Sequence, residues 1–443
     1  MSGGPHLWRG DVLAALARLL DYNPAGTAAA STLRSGSAAA AEDGPGSTAD
    51  GRERPVPHHS RVAALAIRMA SRLHGLDPLD TFYAGLLHDI GLLGNVRDPD
   101  RWRNLDEQAN RPLIRSHPLV GAQMVAEVPE LFSVAPIIMD HHECVNGHGY
   151  PRGKVGDEIG HAAQVIRFAD TCDVILREQA SPELMAFLHA VRGRTATQTS
   201  GAIADAGVEV LGEPGFYAQL LAAEDVEFLI QSTLHGQAAD DYVTTAAEVT
   251  GLLELFASVT DTHPADKTGH SRRVAALGVL VAMSLGLETE ETTQVKWAAL
   301  VHDVGMITVP KEILDKPGRL SPEETAEVRR HAEATERLIA PIRGLEEVAA
   351  IAAGHGEAYD GSGYPRGLRG REIPIGARIL AVCDTFDALT SHRPYREARE
   401  ASLSIDILVK GSGSLFDPDV VAAAVPAFLI ARAAEEPEPV GAV

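Results

Sequence analysis

Two seven-residue segments decide how this chain is organised: LLHDIGL, Leu86–Leu92, and LVHDVGM, Leu300–Met306. With each His-Asp pair as origin, the same residues recur downstream at equal distances. A histidine follows 29 positions on (His117, His331) and another 53 positions on (His141, His355). Gly-Tyr-Pro begins 61 positions on (Gly149, Gly363), and an aspartate lies 82 positions on (Asp170, Asp384). Upstream, HHSRVAALA from His58 mirrors HSRRVAALG from His270. A lone His-Asp dipeptide is a weak signal, but matched features at fixed spacing are the mark of an internal repeat. The chain therefore reads as two copies of one domain of about 190 residues.

The repeat also sets the expected boundaries. LLDYNPAG around Asp21 resembles VTDTHPAD around Asp261, so residues 1–23 are expected to supply an N-terminal helix to the first copy. Residues 24–57, rich in Ala, Gly, Ser and Thr, lack the apolar content to pack and are expected to form a disordered insertion. The first copy is expected over 58–235, the second over 242–431 and a disordered tail over 432–443, with GQAADD as linker.

The fold class expected is all-α, two tandem helical bundles. Val274, Leu277, Val281 and Leu285 recur at helical spacing. Ser321-Pro322-Glu323-Glu324 has the form of a capping box, and Ser181-Pro182-Glu183 predicts another helix start. No sustained apolar/polar alternation predicts a large sheet.

The 443 residues are 45% apolar, enough for a core, and the formal charge of −22 argues against a nucleic-acid polymer or an anionic membrane as partner. Cys144, Cys172 and Cys383 form no CxxC pair, which fits a reducing compartment. With no long apolar run and no basic-apolar leader, a cytoplasmic protein is expected.

The repeated positions carry imidazole and carboxylate, the ligands of borderline and hard divalent cations, and no thiolate; iron or manganese is favoured over zinc or calcium. About six such side chains per copy suffice for two metals bridged by one carboxylate, a pair that activates water and neutralises charge on a phosphoryl group. Histidines outside the pattern, His148 among them, read as ordinary loop or core residues.

LVHDVGM, RRHAEAT, GHGEAYDGSGYPRGLRGREIPIGARILAVCDTFDALTSHRPYREA and LFDPDVV resemble the HD-GYP family along its length, about residues 242–431. The first copy, with LLHDIGLLG, SHPLVGAQM, HHECVNGHGYPRG and RFADTCDV, is similar but more divergent. The resemblance implies helical domains with two divalent metal ions each, hydrolysing cyclic di-GMP through a binuclear-metal-activated water. It implies His270, His302, Asp303, His331, His355 and Asp384 as ligands in the second copy, with Asp266 as a further carboxylate. In the first copy it implies His58, His88, Asp89, His117, His141, His142 and Asp170. Asp89 and Asp303 would bridge the metals and act in catalysis. Arg366, Arg393 and Arg396 would meet a cyclic dinucleotide or other small nucleotide, and the copies could pair as an intramolecular pseudo-dimer. Four positions depart from the family pattern: its HDxGK lysine is Leu92 or Met306 here, Gly356 replaces the second histidine of its HH pair, and Asn146 stands where the family has Asp. A phosphohydrolase for another nucleotide, or a degenerate sensor or interaction module, are the competing expectations.

Overall fold

The computed structural model describes residues 7–20, 57–92, 112–179, 183–237, 242–243, 245–261, 269–391 and 398–435. These divide into two compact units, Met1–Leu252 and Leu253–Val443. The expected insertion and most of the linker lie outside the described residues, as do Asp266, Arg393 and Arg396.

The first unit opens with β1 (Leu7–Trp8) and α1 (Arg9–Leu20), followed by α2 (His58–Ala70) and α3 (Pro78–Leu87). Next come α4 (Pro112–Ala126), α5 (Ala135–Asp140) and the long α6 (His161–Glu178). It continues through α7 (Leu184–Thr195), α8 (Gly201–Leu211), α9 (Phe216–Leu221) and α10 (Ala223–Gln237) to β2 (Tyr242–Val243). β2 pairs antiparallel with β1. The unit boundary falls inside α11 (Ala246–Asp261), later than the expected start of the second copy at 242, because β2 is hydrogen-bonded to the first unit's β1.

The second unit repeats the plan with α12 (His270–Ser284), α13 (Thr289–Val301), α14 (Lys311–Leu314), α15 (Pro322–Arg329) and α16 (His331–Ile339). α17 (Glu346–Ala353), α18 (Ile375–Thr390), α19 (Ala401–Gly411) and α20 (Pro418–Glu435) complete it. The all-α expectation holds: β1 and β2 are the only strands among the described residues.

In each unit the helix carrying the first histidine lies at the centre. α2 packs on α3 and α6, and α12 on α13 and α18. α2 is buried almost all round, with Val62, Leu65, Ala66 and Met69 in the core and the polar His59, Ser60 and Arg61 buried beside them. In α12 the predicted stripe buries Val274, Leu277 and Val281, while Leu285 caps the helix half-buried.

Helix starts follow local chemistry. Asp77 accepts from the backbone N–H groups of Leu79 and Asp80 ahead of Pro78. The capping box at Ser321 forms as predicted: its hydroxyl accepts from Glu324 N while Glu324 accepts from Ser321 N. Of the start predicted at Ser181-Pro182-Glu183, residues 181–182 lie outside the described residues; α7 begins at Leu184 with Glu183 as its N-cap residue. α20 continues to Glu435, into the tail expected from 432, since Ala and Glu at 433–435 are good helix formers; residues 436–443 lie outside the described residues.

In each unit the glycine after the His-Asp pair is obligatory. A Cβ on Gly91 would lie 2.1 Å from the carbonyl oxygen of His117, and one on Gly305 2.1 Å from that of His331. The short 3₁₀ turn after each His-Asp pair thus rests on the backbone of the helix bearing the next histidine. Gly305→Ala should cost at least about 1–3 kcal/mol by overpacking, and Ser321→Ala about 1 kcal/mol by loss of the cap. Urea unfolding of the two variants checks this ranking.

Candidate metal centres

In the second unit six repeated side chains come from separate elements. His270 begins α12, His302 and Asp303 follow the end of α13, and His331 begins α16. His355 lies in the 3₁₀ turn after α17, and Asp384 sits within α18. They converge as two groups, His270–His302–Asp384 and Asp303–His331–His355. Asp303 faces both. Its Oδ2 lies 3.9 Å from His270 Nε2 and 3.8 Å from His302 Nε2, and its Oδ1 3.5 Å from His331 Nε2. Asp384 Oδ1 approaches His270 Nε2 at 3.3 Å, and its side chain is 33% exposed.

The first unit repeats this around Asp89. Oδ2 faces His58 and His88 at 3.6 and 3.4 Å; Oδ1 faces His117 and His141 at 3.1 and 3.7 Å. The groups here are His58–His59–His88–Asp89 and Asp89–His117–His141–His142. Asp170 lies 3.8 Å from His58 Nε2 but belongs to neither group.

The tautomers are set by hydrogen bonds behind the rings. His88, His117, His141, His302, His331 and His355 each donate Nδ1–H to the carbonyl three residues earlier, at 2.6–3.0 Å. A carbonyl can only accept, so the neutral ring keeps its lone pair on Nε2, facing the carboxylate. His117 and His141 Nε2 are 3.1 Å apart, and His331 and His355 Nε2 3.2 Å. Nitrogens about 2.1 Å from a shared cation and at right angles would be separated by about 3 Å. Neither Asp89 oxygen nor His302 Nε2, all buried, has a hydrogen-bond partner. Lone pairs converging at such distances repel unless a cation lies among them, so the donor sets fit divalent metal.

Electrostatics agree. Burial, chiefly, holds His302 down to about 4 and His88 well below its usual value, keeping both neutral as ligands must be. Burial also opposes charge on His58, but the Asp173 carboxylate outweighs it and lifts His58 to about 10.

Sequence reasoning missed the partners that orient the first histidine. His58 Nδ1 bonds Asp173 Oδ2 at 2.6 Å, and His270 Nδ1 bonds Asp387 Oδ2 at 2.7 Å. Arg61 and Arg177 hold Asp173, and Arg273 holds Asp387. The signal was present: Asp-x-x-Asp and the arginine three residues after the first histidine occur in both copies. Glu143 and Glu357 were also overlooked; they accept backbone N–H groups from the Gly-Tyr-Pro loops, from Arg152 and Lys154 and from Arg366 and Leu368.

The departures have structural counterparts. Leu92 and Met306 are buried aliphatic side chains, so those positions supply no cation. A Cβ on Gly356 would stand 2.5 Å from the Tyr364 ring, so tyrosine fills the volume a second histidine would need. In the first unit that histidine, His142, stacks on Tyr150 at 4.7 Å. His142 Nδ1 accepts from the Arg167 guanidinium at 2.9 Å, which leaves the proton of the neutral ring on Nε2. Arg366 is ion-paired with Glu336.

An "HD domain" family description matches residues 48–182 and 254–420, spanning both repeated halves. The chain belongs to the HD-domain family. The resemblance to HD-GYP proteins read from the sequence holds. Over 314 residues, 70% of its length, this HD-domain chain is 30% identical to a 3′3′-cGAMP-specific phosphodiesterase of Vibrio cholerae, covering 66% of that protein. Over 188 residues, 42% of its length, it is 37% identical to a cyclic di-GMP phosphodiesterase of Thermotoga maritima, covering 49% of it. The chain thus spans less than two thirds of either relative. A solved cyclic GMP-AMP-specific phosphodiesterase from Vibrio cholerae shares the fold of the HD-domain chain, with TM-score 0.61 and 22% identity over 96% of this chain and 98% of that one. No described helix is long and apolar enough to cross a membrane.

Asp387 yields a pH prediction. Burial raises its pKa, but His270 and Arg273 outweigh this and depress it to about 2 from 3.8. A depressed carboxylate stabilises the fold above its unfolded pKa, and that stability is lost as pH falls through the folded value. In metal-free protein, Asp387→Asn should therefore cost about 2 kcal/mol near pH 5, and the difference should shrink as pH falls from about 4 toward about 2. Denaturant midpoints of both proteins across that range measure it.

Proposed function

We propose that this chain is a metal-dependent phosphodiesterase acting on a 3′,3′-cyclic dinucleotide, with cyclic di-GMP as reference substrate and turnover in the second copy. The observation that carries the reading is the Asp303 carboxylate, whose two oxygens face separate imidazole groups. His270, His302, Asp384 and one Asp303 oxygen would hold one divalent cation; His331, His355 and the other oxygen would hold a second. The mixed imidazole–carboxylate set favours iron or manganese. Bound there, the pair supplies Lewis-acid charge beside the phosphoryl group and lowers the pKa of water.

The residues of the chain do the positioning. Asp303 ties the two half-sites together, and the Nδ1–H bonds to backbone carbonyls keep the rings from turning. The Asp387 bond does the same for His270. Partial exposure of Asp384 leaves the second copy an approach from solvent, whereas its counterpart Asp170 is only 9% exposed. Substrate phosphates would be met by Arg366, Arg393 and Arg396, Arg366 exchanging Glu336 for phosphate. With no lysine at Leu92 or Met306, these arginines and the cations carry the charge complementarity.

A second substrate, 3′3′-cGAMP, is favoured by one observation: the relative matched over 70% of this chain is named as specific for it, whereas the cyclic di-GMP relative matches over 42%.

With manganese-loaded protein and both dinucleotides, Asp303→Ala should lower kcat/KM at least about 100-fold, and more than Asp89→Ala does. Undiminished turnover in Asp303→Ala, or indifference to both dinucleotides while another nucleotide is cleaved, refutes the reading. Chelation should abolish turnover, and manganese or iron, but not calcium, should restore it.

A further inference from the structure

The two copies differ in one half-site. In the second copy Asp384 joins His270 and His302. In the first, the matching Asp170 stays 3.8 Å from His58 Nε2 and outside both groups, and Arg167, 3% exposed and one turn earlier on α6, places its NH1 3.9 Å from Asp170 Oδ2. The second copy has Ala381 there, with no charge to compete. In place of Asp170 the first copy brings His59, the second residue of α2 and 1% exposed. Its ring centroid lies 4.8 Å from that of His58 and 5.1 Å from that of His88. One ligand atom of each of His58, His59, His88 and Asp89 lies within 4.8 Å of all the others. The second copy has Ser271 at the position of His59, and its hydroxyl donates to Asp261 instead.

We propose that His59 takes the place of Asp170 as a metal ligand in the first copy, giving that half-site three imidazoles and one carboxylate. The inference rests on the metal-centre reading above and adds a ligand and a metal preference to it. Exchanging a carboxylate for an imidazole removes one negative charge and one hard oxygen donor. Three imidazoles with a carboxylate form a four-ligand set of the kind zinc and cobalt(II) occupy, whereas manganese prefers oxygen. The first copy therefore selects a different ion from the second. His59 is placed for this by sequence alone: it follows His58 directly in the first turn of α2, and burial leaves its ring no route to solvent.

The test uses the full chain carrying Asp303→Ala, which removes the second centre, stripped of metal and then reloaded with zinc or cobalt(II). Metal per chain is counted by mass spectrometry, and the visible ligand-field absorption of cobalt reports its coordination. His59→Ser, the residue of the second copy, and His59→Gln, which keeps the volume, should each lose one equivalent and change the cobalt spectrum. Asp170→Asn should keep both signals. Far-UV circular dichroism of the metal-free variants confirms that each is folded. Full metal retention in both folded His59 variants overturns the proposal, as does loss of the same equivalent in Asp170→Asn. A parent Asp303→Ala chain that takes up no metal overturns instead the metal-centre reading on which the proposal rests.

Discussion

A buried carboxylate whose two oxygens look in opposite directions at pairs of imidazole nitrogens is the feature on which each half of this chain depends. Asp89 and Asp303 are almost fully buried, and burying a carboxylate without compensation is costly. With their protons held on Nδ1, His117, His141, His331 and His355 turn Nε2 lone pairs toward these carboxylates. Cations among those lone pairs would balance the carboxylate charge, and for that reason the clusters read as metal centres rather than as ordinary polar cores.

Holding five or six side chains around that carboxylate constrains the backbone tightly. Most of the candidate ligands start or end helices, whereas His117, Asp170 and Asp384 lie within theirs. The glycine after each His-Asp pair removes the Cβ that would hold the next histidine's helix away. Behind the first histidine, Asp173 and Asp387 fix ring orientation, and arginines in turn fix those aspartates. The Gly-Tyr-Pro loops are pinned in the same manner by Glu143 and Glu357. Each shell is polar and buried, so each needs the next to satisfy it.

Duplication has let the two copies diverge within this frame. The second copy gives up a histidine at Gly356 and lets the Tyr364 ring fill the volume. The first keeps His142 but engages it with Arg167, a buried cation with no counterpart in the other half. The first site is closed and histidine-rich; the second is more open and carboxylate-rich. The same buried aspartate thus sits at the centre of two differently composed clusters.

The sequence by itself determined the repeat, the helical class, and the set of residues that would have to converge, because equal spacing of chemically matched residues survives without any coordinates. It also contained the Asp-x-x-Asp pairs and the arginines that orient the first histidine, legible only once one asks what repeats beside the ligands. Tertiary structure alone decided which ligands share a half-site, which ring nitrogen faces inward, and that His59 rather than Asp170 enters the first cluster. Those outcomes depend on contacts between residues more than a hundred positions apart and on where a neighbouring guanidinium sits, and linear spacing carries neither.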